Sequence, residues 1–101
     1  MHNFIQGIRF ESQCVREALR CEPEIQLDLE HAGLAITLAI MLSLLGRGMD
    51  DPNEISSYLA TRGSKFDLET IKTLLDAYDG INAQYHLWTR LCDDTYVPLI
   101  A

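Results

Sequence analysis

The stretch DPNEISSYLATRGSKFDLETIKTLLDAYDG, Asp51 to Gly80, carries two helix starts and two helix stops within thirty residues. Asp51 offers a side-chain acceptor to backbone N–H groups that have no partner in the first turn. Pro52 suits the first helical position, where its missing N–H costs nothing. Ile55, Tyr58 and Leu59 share one side and Gly63 is a stop signal, so this half predicts a short helix over 52–62. Asp67 caps a second helix whose apolar face is Leu68, Ile71, Leu74, Leu75 and Tyr78, with Gly80 ending it. Two capped amphipathic helices joined by a turn need further apolar surface to close on, and the flanking sequence supplies it.

Downstream of Gly80 the period changes. Tyr85, Leu87, Thr89 and Leu91 alternate with His86, Trp88 and Arg90, which is strand patterning. Asp93 and Asp94 make a turn, and Tyr96 to Ile100 returns as a second strand, with Pro98 at a sheet edge or near the strand end. Aromatic residues here read as cross-strand pairs over a small core.

Upstream, Asp28 reads as the N-cap of a long helix running to about Leu45, with Gly46 and Gly48 as stops. Such a helix is about 30 Å long. It carries a small-residue row (Ala32, Ala35, Ala39, Gly46), a large-residue row (Leu34, Leu38, Met41, Leu45) and a third row of Ile36, Ile40 and Leu44. No polar stripe remains, so protein must cover it on nearly every side. The row Leu34, Leu38, Met41 and Leu45 is therefore a candidate self-association surface, for a homodimer or a stable hetero-partner. GLAITLAIMLSLLG falls short of the ~20 apolar residues a bilayer span needs, so no membrane role is expected. Before it, Ser12 to Arg20 is good helix material, so a helix is expected from about residue 11, ended by Pro23. Residues 3–10 read equally as strand, through Phe4, Ile8 and Phe10, or as helix, through Phe4, Ile8, Val15 and Leu19.

At 101 residues, 48% apolar and 23% charged, the chain is expected to be one globular domain rather than a disordered segment. Residues 1–26 form an N-terminal extension and 27–101 the core. The formal charge is -7, and eight of the fifteen acids lie in residues 51–101 against four bases. Such a balance repels phosphate backbones and anionic membranes at long range. Cys14, Cys21 and Cys92 make an odd number with no CxxC pair, so neither a disulfide scaffold nor a zinc site is expected. Cys14 and Cys21, seven apart, are expected as buried small hydrophobes on one helical face. With no basic start followed by an apolar run at the N-terminus, a cytoplasmic location is the expectation.

From Leu27 onward the order of long helix, short helix, helix and hairpin resembles a winged helix-turn-helix domain. The residues that carry the resemblance are Ile55 and Leu59, then Gly63 and Phe66 in the turn, then Asp67, Thr70, Ile71 and Leu75. It covers about three quarters of the chain. It implies a mainly helical α+β fold, with 67–79 as the recognition helix and the hairpin as the wing.

The solvent face of that helix is Glu69, Lys72, Thr73 and Asp76. A DNA-reading helix uses Arg, Lys, Asn, Gln, Ser or Thr there, and only Lys72 and Thr73 qualify. Asp93 and Asp94 occupy the wing tip, where phosphate contact calls for Arg or Lys. The leading expectation is thus a small acidic regulator that binds another protein through Glu69, Lys72, Thr73 and Asp76, with Trp88 as an aromatic anchor. The alternative is a DNA-binding transcriptional or replication regulator that uses Arg62, Lys65, Lys72, Thr73 and Arg90. No enzyme, metal or cofactor is expected. His2, His31 and His86 are scattered, Ser56 and Ser57 lie on no strand-to-helix elbow, Cys92 sits beside an acid, and no glycine-rich phosphate loop occurs.

Overall fold

A computed structural model of the chain describes residues 4–21, 29–82 and 84–99, with the side chains of 4 and 18–21 left aside. Its elements in chain order are α1 (Phe4–Cys21), α2 (Leu34–Gly46), α3 (Pro52–Ala60), α4 (Leu68–Ala77), β1 (Trp88–Arg90) and β2 (Tyr96–Pro98). The protein is mainly helical with a C-terminal antiparallel hairpin, an α+β arrangement.

α1 starts at Phe4, so residues 3–10 resolve in favour of helix from that residue and the helix is longer than the span from residue 11. Ile5, Ile8 and Ser12 are buried and Val15 packs partly against the core, a row at helical spacing that docks on α2. That burial outweighs the roughly 1 kcal/mol that Gly7 costs a helix. Phe10, the proposed strand partner of Ile8, is 69% exposed, because residues two apart on a helix face nearly opposite ways. Cys14 is likewise exposed rather than buried. Pro23 lies outside the described residues.

α2 is shorter than expected. Asp28 lies outside the described residues, and the helix begins only at Leu34, with Gly33 at the N-cap position and no side-chain cap. Leu29 is buried, and its N–H donates to the carbonyl of Arg62 at 2.8 Å. Residues 29–33 are thus a turn pinned to the end of α3, and thirteen helical residues span about 20 Å. From Thr37 to Leu45 every residue is buried. Ser43 Oγ–H donates to the Ser12 carbonyl at 2.7 Å, so in the 2.6 Å contact between the two hydroxyls Ser12 is the donor. This buried pair stitches α1 to α2. Past the end of α2, Gly48 takes a left-handed φ of 92°, which only glycine adopts without strain. No helix among the described residues is long and apolar enough to cross a membrane.

α3 and α4 begin where the caps predict. Asp51 accepts the Asn53 N–H at 3.0 Å, and Asp67 accepts the Thr70 N–H at 2.8 Å. α3 ends at Ala60 rather than 62, turning through Gly63 at φ 91°. α4 ends at Ala77, ahead of Gly80.

The strands are three residues each, paired Trp88↔Pro98, Thr89↔Val97 and Arg90↔Tyr96. The strand over 85–91 is therefore truncated: Tyr85 and His86 both donate backbone N–H groups to the Asn82 carbonyl in a turn, and Leu87 and Trp88 are buried in succession. Period-two patterning fails because this chain end wraps the C-terminus of α4 instead of lying on a broad sheet. Leu91 N–H bonds the Thr95 carbonyl, and Leu99 N–H bonds the Leu87 carbonyl. By alternation Trp88↔Pro98 is a non-hydrogen-bonded pair, which is why Pro98, lacking an N–H, is tolerated in β2.

Candidate functional site

Ile71 and Leu75 of α4 are fully buried, so a 3.6-residue period turns Glu69, Lys72, Thr73 and Asp76 outward, and all four are exposed. The face is anchored at its start by Asp67, whose carboxyl is held below the usual carboxylate range, first by the Thr70 hydroxyl and then by the Thr70 N–H. Thr73 Oγ–H donates to the Glu69 carbonyl at 2.9 Å, so that hydroxyl is already engaged by the helix.

Trp88 is not part of this surface. It is fully buried, donates its indole N–H to the Leu75 carbonyl at 2.8 Å, and meets Tyr78 edge-on at 6.2 Å. The expected anchor is a core residue, because an α4 carbonyl left without a helical partner needs a donor and the indole supplies one. The expected self-association row fares similarly. Leu38, Met41 and Leu45 are buried within the single chain, and only Leu34, in the first turn of α2, is exposed, at 41%. α1, β2 and the core cover the rest.

The five residues of the DNA alternative are spread from the end of α3, through α4, to β1. Arg62 closes α3: its guanidinium stacks 3.6 Å over the Tyr58 ring and donates to the Tyr58 carbonyl and to Thr61 Oγ. Lys65 lies in the turn before α4, and Lys72 with Thr73 in its middle. Arg90 sits beyond the far end of α4, in a knot with Tyr96, Asp94 and Asp79. Its guanidinium is held above its ordinary range, chiefly by Tyr96 and then by the two acids, while its backbone N–H donates to Asp79 Oδ1 at 2.7 Å. Burial in turn holds the Tyr96 phenol above its ordinary range. Among the described residues Lys65 and Lys72 have no ion pair or hydrogen bond of their own. At the hairpin tip Asp94 adopts φ 67°, and Asp93 accepts from the Thr95 hydroxyl and N–H, which hold its carboxyl low.

Among the described residues no three His, Cys, Asp or Glu side chains gather as a metal site would. His86 lies against the Cα of Gly80 and accepts the Asn82 N–H at Nδ1, 3.2 Å. His31 is exposed, and His2 lies outside the described residues.

One surface escaped the sequence reading. A shallow groove of about 440 Å³ runs along α3, lined by Met49, Asn53, Glu54, Ser57, Tyr58 and Thr61. The signal was present: Asn53, Ser57 and Thr61 repeat every four residues beside the pair Glu54 and Tyr58. Polar spacing alone does not mark a groove, and the contribution of Met49 depends on how the α2–α3 connection folds back.

No known protein family, no curated protein and no solved structure matches this chain.

Proposed function

We propose that the chain is a small, acidic, non-enzymatic cytoplasmic regulator of winged-helix-like build, which binds another protein through the solvent face of α4 and so occludes or modulates that partner's interface. The observation that carries the reading is the exposed mixed-charge face Glu69, Lys72, Thr73 and Asp76, set between two acidic ends while Arg62 and Arg90 are engaged by neighbouring groups. Phosphate recognition needs free cations that converge, and this surface has few. The winged-helix-like part rests on the order α2, α3, α4 and hairpin, and on the hairpin bonding back to the Tyr78 carbonyl through Leu87 and Trp88 N–H groups.

The test compares the full chain with a Lys72→Glu, Asp76→Lys variant in affinity capture from native lysate, alongside a duplex DNA titration over a range of salt. A partner captured by the parent and lost with the variant supports the reading. Salt-sensitive, sequence-selective duplex binding by the chain alone overturns it. That outcome favours the DNA regulator, for which Lys72→Glu with Arg90→Glu abolishes operator binding.

A further inference from the structure

We propose that the groove along α3 is a second docking surface, and that its occupant is a basic peptide segment of a partner protein with a single apolar anchor. The inference rests on the reading of the chain as a protein-binding module but uses a surface other than α4. Asn53, Ser57 and Thr61 line the groove over nine residues, about 12 Å along the helix axis, which matches a short peptide. The groove is open along its length, so it encloses a small molecule poorly and suits a segment that continues beyond it. Met49 and Tyr58 provide the apolar contact, a pliable thioether beside an aromatic ring, which accept a Leu, Met or Phe side chain.

Charge selects among peptides. Asp50, Asp51 and Glu54 cluster at the end where α3 begins, whereas the cation at the other end, Arg62, is stacked on the Tyr58 ring. A Lys or Arg beside the anchor meets the acidic end, and the overall charge of -7 draws basic segments toward the chain.

The experiment selects phage-displayed random dodecapeptides on the full chain and measures the best binder by fluorescence anisotropy. The expected result is enrichment of Lys or Arg next to one Leu, Met or Phe. Binding is expected to weaken about tenfold with Glu54→Lys and again with Ser57→Lys, and to be unchanged by Lys72→Glu. Glu54 and Ser57 are exposed, so both variants keep the fold, checked by circular dichroism. No enrichment, an acidic consensus, or binding indifferent to both groove substitutions overturns the proposal. Such a failure with capture still dependent on α4 leaves the α4 reading standing, and peptide binding here with α4-independent capture does the reverse.

Discussion

Trp88 fills the space beneath α4 and also donates to a helix carbonyl, so its two roles separate by substitution. Trp88→Phe keeps most of the volume but leaves the buried Leu75 carbonyl without its 2.8 Å donor, a loss of about 1–3 kcal/mol. Trp88→Ala adds a cavity and should cost about 3–5 kcal/mol. Urea unfolding followed by far-UV circular dichroism reads both, and a Trp88→Phe variant as stable as the parent would show that the hydrogen bond contributes nothing. The serine pair between α1 and α2 yields an asymmetry of the same kind. In Ser43→Ala the buried Ser12 hydroxyl loses its acceptor, whereas in Ser12→Ala the Ser43 hydroxyl still donates to the Ser12 carbonyl. We therefore expect Ser43→Ala to cost about 1–3 kcal/mol and Ser12→Ala distinctly less. The reverse order in paired denaturation curves would contradict the assigned donor directions.

At the scale of elements, the caps decide where α3 and α4 begin and also how stability responds to acid. The carboxyl of Asp67 is held below its ordinary value by Thr70, and that of Asp93 by Thr95. A carboxyl lowered in the folded state contributes stability that is complete above its unfolded value, near 3.9, and is lost as pH falls through the lower folded value. Asn still caps a helix but carries no charge, so Asp67→Asn should flatten the fall in denaturation midpoint below about pH 4 while leaving α4 formed. Parallel acid profiles for the variant and parent would remove the charge from the account. α2 behaves differently, since Gly33 offers it no side-chain cap and its helix depends on packing. The Asp28 start was a local inference, and a local signal gave way where Leu29 found a place in the core and tied its N–H to Arg62.

Over the whole molecule, the demand that α2 be covered is met by the chain itself. Leu38 is fully buried, so Leu38→Ala should lose about 2–5 kcal/mol, whereas Leu34→Ser, at a partly exposed site, should lose little. Sedimentation equilibrium should give the same mass for the parent and Leu34→Ser. A dimer that dissociates on Leu34→Ser would return that edge of α2 to an interface. Residues 51–80 were legible in the sequence because capping and 3.6-residue spacing are local: an Asp side chain reaches its own helix, and apolar residues spaced for one face turn inward whatever they meet. The exposed face of α4 followed from the same periodicity. By contrast, the burial of Trp88 and the shortening of β1 depend on how the chain end packs on α4, and the engagement of Arg90 and the groove beside Met49 on how the hairpin and the α2–α3 connection turn. Local pattern carries no record of such contacts, so only α3, α4 and their caps were determined by the sequence alone. That Trp88 became core and Arg90 was engaged was decided only when the hairpin closed over the end of α4.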